Sequence, residues 1–122
     1  MPNLSPALTA KLKTLPAAPG VYFHKNAAGE VIYVGKAAVL KNRVRQYFHN
    51  TLKDPKTAAL VQEIADTDWI VVDTEMDALF LESEMIKRYM PKWNILLRDD
   101  KTVSYVRIDF KSEVPYVSFT RT

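Results

Sequence analysis

Residues 20 to 36, GVYFHKNAAGEVIYVGK, constrain the fold more than any other stretch. Two short runs, Val21 to Phe23 and Val31 to Val34, are rich in Val, Ile, Tyr and Phe and flank a polar segment with Gly29 near its end. The pattern predicts an antiparallel hairpin with a loop of about four or five residues. Alternation puts Val21 and Phe23 on one face and Tyr22 on the other; in the second strand Ile32 and Val34 share a face and Tyr33 turns away. With the apolar pairs directed to the core, both tyrosine rings emerge together on the opposite side. Gly35 and Lys36 follow at the exit; only if Glu82 and Arg43, farther along the chain, give those tyrosines something to face does Gly35 read as a gap for close approach of a backbone or phosphate, with the Lys36 cation beside it. Taken alone, the stretch reads more plainly as a hairpin with two ordinary strand tyrosines.

A chain of 122 residues is one domain with room for a single core. Its 48% hydrophobic and 25% charged residues match a folded soluble protein. No apolar run approaches the roughly 18 residues of a membrane span, and MPNLSPALTAKLK lacks a signal peptide's apolar core. Cysteine is absent, which excludes disulfides and thiolate metal sites and agrees with a cytoplasmic location. Only His24 and His49 are present, which argues against a metal site built on several histidines. Net charge is +3 but unevenly spread: residues 1 to 60 carry nine Lys/Arg against two Asp/Glu, residues 61 to 122 eight against twelve. The basic half contains the hairpin and suits a polyanion such as nucleic acid, although a solvated basic surface needs no partner.

Along the chain, Ser5-Pro6 before ALTAKLKTL predicts a capped amphipathic helix, ended by Pro16 and Pro19. Residues 39 to 48 carry helical periodicity, with Leu40, Val44, Tyr47 and Phe48 on one stripe and Arg43 at its edge. A polar loop at 49 to 56 precedes a helix at 57 to 66. Residues 68 to 74, DWIVVDT, predict a central strand. Thr74 caps a helix at 76 to 90, with Asp77 in its first turn, Lys87 and Arg88 in its last, and Pro91 as its stop. A loop holding Arg98, Asp99, Asp100 and Lys101 then leads to strands at 103 to 110 and 114 to 121. The layout is α+β: a small, mostly antiparallel central sheet flanked by helices, with a C-terminal β-hairpin.

The helix at 76 to 90 holds an anomaly. Ala78, Leu79, Leu81, Met85, Ile86, Tyr89 and Met90 span one apolar face, and Glu82 falls in its middle, while Ser83, Glu84, Lys87 and Arg88 take the other side. A carboxylate on a core stripe must be paired, metal-bound or neutralised. Glu82 pairs with an arginine such as Arg43, or lines a cleft and binds a divalent cation, or is exposed because Phe80 is buried and the stripe rotated. Tyr22, Tyr33, Lys36, Arg43, Tyr47 and Glu82 together hold what phosphoryl chemistry needs: cations for phosphate oxygens, a group to activate water and a hard oxygen ligand.

Gly20-Val21-Tyr22 and Tyr33-Val34-Gly35 resemble the two halves of the signature of the GIY-YIG nuclease family. The resemblance is closest to its UvrC branch, the incision subunits of bacterial nucleotide excision repair. It runs from Pro19-Gly20 to Thr120-Arg121 and includes YVGKA at 33 to 37, Arg43, Tyr47-Phe48, ALFLE ending at Glu82, IKRY at 86 to 89, Pro91-Lys92, Asn94 and LLRDDK at 96 to 101. The resemblance implies that Glu82 is the single carboxylate binding Mg²⁺ or Mn²⁺ and that Arg43 binds the scissile phosphate. It implies that Tyr22 and Tyr33 flank the attacking water, with Tyr22 the expected general base and Tyr33 assisting, and that Lys36, Tyr47 and Asn94 complete the site. Lys36, Lys41, Arg43 and Arg45 are the expected DNA-binding cations. The implied reaction is phosphodiester hydrolysis to a 5′-phosphate and a 3′-hydroxyl, on the 3′ side of a lesion in damaged duplex DNA. The chain is then expected to be a monomeric N-terminal nuclease domain of a longer protein that contacts UvrB.

Val21 and Val34 replace the isoleucines of the family name, Ala38 stands where a lysine is common, Trp93 replaces a tyrosine and Met90 an arginine. Two other readings are a non-catalytic DNA-binding or docking module of the same fold and a stand-alone nuclease like the shorter UvrC homologue Cho. His24 and His49 read as surface residues, although His24 shares Tyr22's face. Asp99 and Asp100 read as turn formers, Trp69 as core, and Trp93 as either core or a base-stacking ring.

Overall fold

The structure, a computed structural model, describes residues 4–49 and 53–101. The elements run α1 (Pro6–Leu12), β1 (Gly20–Lys25), β2 (Val31–Ala37), α2 (Leu40–Gln46), α3 (Pro55–Glu63), β3 (Asp66–Val71), α4 (Glu75–Tyr89) and α5 (Lys92–Lys101). The three strands form one antiparallel sheet in the order β2-β1-β3. The central strand is therefore β1. Among the described residues the run at 68 to 74, predicted as central, is an edge strand, with Ile70 and Val71 45% and 51% exposed. A continuous apolar run marks a strand but not its place in the sheet.

The sheet buries both faces. Val21, Phe23 and Val34 pack with Ala78 of α4, flanked by Val31, Leu81, Met85 and Ile86. The other face carries Tyr22, Leu40, Val44, Phe48, Leu60 and Trp93 among a larger cluster that includes Leu8, Leu12 and Ile64. The predicted sharing of one face by Ile32 and Val34 does not hold. A register shift between His24 and Lys25 leaves Ile32 as an extra residue opposite β1, and it joins the tyrosine-side cluster while Val34 packs against α4.

Local signals set the elements. Asn26 Oδ1 accepts from the backbone N–H groups of Ala28 and Glu30 and shapes the hairpin loop, where Gly29 takes φ +83°. Ser5 caps α1 through Leu8 N–H at 3.0 Å. Asp54 caps α3 through Thr57 N–H, with Pro55 in its first turn, so that helix begins earlier than 57 and ends at Glu63. Val39 offers α2 no side-chain cap; the Pro16 and Ala18 carbonyls accept from Lys41 and Leu40 instead. Thr74 caps α4 through Asp77 N–H at 3.1 Å. Met90 closes it in the left-handed region at φ 45°, and Pro91 redirects the chain into α5. The predicted loop at 98 to 101 is the last part of that helix, so Asp99 and Asp100 lie within a helix rather than a turn. The predicted strands at 103 to 110 and 114 to 121 lie outside the described residues.

Candidate active site

The tyrosines gather on one face because β1, β2 and α2 converge there. Alternation directs Tyr22 and Tyr33 to that face, and α2 brings Tyr47 across them. Ring centroids lie 6.3 Å apart for Tyr22–Tyr33, 5.7 Å for Tyr22–Tyr47 and 6.3 Å for Tyr33–Tyr47. The hydroxyls of Tyr22 and Tyr47 share a hydrogen bond of 2.8 Å. The rings do not emerge into solvent as a pair: Tyr22 is 1% exposed, while Tyr33 and Tyr47 are half-buried. Gly35 pairs with Tyr22 across the hairpin, and a Cβ there would fall on the end of the Tyr22 phenol. The gap at Gly35 is thus filled by Tyr22 rather than left open for a phosphate.

Glu82 comes from the opposite side of the sheet, on α4. Phe80 is 67% exposed, which removes the rotated-stripe alternative. The buried side of α4 is Ala78, with Leu81, Met85 and Ile86 partly covered, and Leu79, Tyr89 and Met90 are exposed rather than core. Glu82 is half-buried and, among the described residues, forms no ion pair with Arg43. Burial raises its carboxyl above the ordinary range; the charge of Lys36, the Lys36 backbone N–H and the charge of Arg43 pull the other way. Arg43 and Glu82 also act with opposite sign on both Tyr22 and Tyr33. The groups therefore share one electrostatic neighbourhood, with the phenols on one side of β2 and the carboxylate on the other.

Asn94 occupies the edge of β2 that has no strand partner among the described residues. Its Oδ1 accepts from Val34 N–H at 2.8 Å and its Nδ2 donates to Val34 C=O at 2.8 Å. Both ends of the amide are spent on the backbone, which ties α5 to the strand carrying Tyr33, Gly35 and Lys36.

All three phenols are raised above the usual tyrosine value, by burial first; a neighbouring phenol adds to it, and Arg43 opposes it. Sequence reasoning missed the group beneath them. His24 is no surface residue: it is 0% exposed, with Nδ1 2.9 Å from Thr67 Oγ1 and Nε2 without a hydrogen-bond partner among the described residues. Burial lowers it to about 3. Alternation had put His24 on the right face; only the central position of β1 buries it.

Among the other candidates, Lys36, Lys41 and Arg43 are exposed. Arg45 lines a groove of about 280 Å³ between α1 and the end of α2, with Leu4, Leu12, Lys13, Phe48 and His49. His49 is exposed, as are Ala38 and Met90. Trp93 is core, with Nε1 buried and without a hydrogen-bond partner among the described residues; Trp69 is only partly covered, with the Lys11 ammonium 6.0 Å from its ring. Among the described residues no cluster of three or more His, Cys, Asp or Glu side chains is placed to hold a metal, so any cation site here rests on the Glu82 carboxylate.

The three-stranded antiparallel sheet with flanking helices matches the fold of a GIY-YIG domain. The UvrC-like GIY-YIG domain model matches residues 18–95, and the chain belongs to that family. It is 52% identical over 112 residues to UvrABC system protein C of Thermoanaerobacter sp. (strain X514), covering 91% of this chain and 18% of that one. It is 55% identical over 101 residues to the protein of the same name from Caldicellulosiruptor saccharolyticus, covering 83% and 17%. The chain thus spans under a fifth of the length of these relatives. The GIY-YIG N-terminal endonuclease domain of UvrC from Thermotoga maritima, bound to its catalytic magnesium, superposes with a TM-score of 0.66 at 37% identity, covering 75% of this chain and 99% of that one. Point mutants of that domain with one tyrosine changed to phenylalanine, or one asparagine to alanine, were also solved with the catalytic cation bound.

Proposed function

We propose that this domain is a divalent-metal-dependent DNA endonuclease, and that the site around β2 hydrolyses a phosphodiester to a 5′-phosphate and a 3′-hydroxyl. The observation that carries the reading is Glu82: a half-buried carboxylate that forms no ion pair among the described residues, beside the charges of Lys36 and Arg43. A desolvated carboxylate in that position gains most from a hard cation. Glu82 would hold magnesium or manganese, which when bound would supply Lewis acidity and lower the pKa of a water there. Arg43 is exposed at the rim and offers a fork for a phosphate oxygen; Lys36 adds a second positive charge. Lys41 and Arg45 continue the basic side of α2 toward the DNA backbone.

The phenols, protonated at neutral pH even at the ordinary value near 10 and raised further by burial, present O–H donors in the resting site. Tyr33 is the better exposed of the two tyrosines assigned to the water, and Tyr22 communicates through its hydrogen bond to Tyr47. A base role for either needs the positive charge of Lys36 and Arg43 to favour the phenolate. Asn94 positions the strand without reaching the substrate. In the longer protein the domain makes the 3′ incision of excision repair in the cytoplasm, on damaged duplex, with UvrB as partner; by itself it is a monomer.

A nicking assay on plain and lesion-bearing duplex with Mg²⁺ or Mn²⁺ tests this. Glu82→Ala and Arg43→Ala are each expected to lower the rate by roughly 10²-fold or more; undiminished cleavage by both sinks the assignment. Salt-sensitive DNA binding without metal-dependent cleavage would instead identify a binding module.

A further inference from the structure

The chemistry above leaves His24 idle, yet it touches all three tyrosines. Its ring lies 4.6 Å from Tyr47 at 76°, 5.2 Å from Tyr22, and 6.1 Å from Tyr33 in a near-parallel stack at 23°. Phe48 stands across it at 6.0 Å and 88°. Thr67, also 0% exposed, holds Nδ1 from β3. An apolar side chain would fill this space without burying two polar nitrogens, so the imidazole needs an account.

Two tautomers are open. A proton on Nδ1 donates to Thr67 and leaves Nε2 a bare lone pair among ring faces, the costly arrangement. A proton on Nε2 lets the Thr67 hydroxyl donate to Nδ1 and directs the orphan N–H at an aromatic face, where it is satisfied. Tyr47 is the nearest ring and stands nearly perpendicular to the imidazole.

We propose that His24 is a positioning residue for the tyrosine trio, anchored at Nδ1 by Thr67 and directing Nε2–H onto the Tyr47 ring. Tyr47 sits in the C-cap of a seven-residue helix, where the backbone alone holds a ring loosely. The imidazole fixes that ring, and through the 2.8 Å hydroxyl pair it fixes Tyr22. The catalytic consequence rests on the nuclease reading; the tautomer does not.

Long-range ¹H–¹⁵N correlation spectra of the protein, without metal or DNA, read the tautomer directly. The expected result is Nε2–H with its proton shifted upfield by the Tyr47 ring, retained in Thr67→Ser and lost in Thr67→Val. An Nδ1–H tautomer in the unmutated protein overturns the proposal. In the nicking assay His24→Phe keeps the ring volume without the N–H. It is expected to lower kcat about tenfold with KM for duplex unchanged, Thr67→Val to do the same, and Thr67→Ser to restore the rate. Full kcat in both His24→Phe and Thr67→Val, in a protein that Glu82→Ala inactivates, overturns the positioning role. If the unmutated protein does not cleave, the nuclease reading fails, and the spectra still decide whether Thr67 and Tyr47 hold His24.

Discussion

At the scale of single residues, the site depends on what has no side chain as much as on what does. Gly35 gives up a Cβ so that Tyr22 can lie across β2. Gly35→Ala is expected to destabilise by roughly 1–3 kcal/mol and to cut nicking with it, because the ring must leave its hydroxyl partner. Gly29→Ala is the control: the position has φ +83° and open space, so strain of about 1 kcal/mol falls on the loop and leaves activity alone. Urea unfolding beside the nicking rate separates the two. Glu82 carries the opposite conflict. Its folded carboxyl is raised by burial, so ionisation weakens the fold as pH rises from the ordinary glutamate value through the raised one, and the weakening stays above it. Glu82→Gln is therefore expected to raise Tm at pH 7 while abolishing cleavage, the Tm gain closing as pH drops below the ordinary range. The shared face of Tyr22 and Tyr33, and the misfit of Glu82, were legible in alternation and helical period. What lay over Gly35 was not, since period assigns a face and says nothing of the cross-strand partner.

At the scale of elements, Asn94 turns an open strand edge into a closed one. It holds α5 against β2 by two hydrogen bonds to one residue. Asn94→Ala leaves the Val34 N–H and C=O without partners, a cost of about 1–3 kcal/mol. Hydrogen exchange at the Val34 amide is expected to accelerate, with a fall in kcat as Lys36 loses its support. Asn94→Asp keeps the acceptor but sets a carboxylate oxygen against the Val34 carbonyl, so it should not rescue; wild-type exchange in that variant would show the edge closed by something else. Caps and prolines marked α1 and α4 well because their signals are local. The place of β3 was misread because Ile70 and Val71 look like core, and the end of α5 was misread because charged residues fit a helix surface as readily as a turn. Both errors concern partners distant in sequence.

At the scale of the whole molecule, the site joins the basic and acidic halves: cations and phenols come from residues 22 to 47, the carboxylate and the edge clamp from α4 and α5. The same joining buries His24, whose acid behaviour makes a global prediction. Burial lowers its folded value to about 3, against about 6.5 in the unfolded chain. Below pH 6.5 the unfolded state takes up a proton that the folded state refuses, so stability falls as pH drops, by about 1.4 kcal/mol per unit, until the folded value is reached. Asp68 and Asp54 have lowered carboxyls and lose their contributions only at more acid pH, below the ordinary aspartate value. Glu82 acts with the opposite sign, regaining stability as its raised carboxyl takes up a proton. The window between pH 6.5 and about 5 thus belongs mainly to His24. Urea denaturation across that window is expected to show a steep slope in the unmutated protein and a nearly flat one in His24→Phe. An unchanged slope in the variant would mean that the folded protein already accommodates a proton at His24, which a ring enclosed by three phenols and Phe48 has no solvent to support.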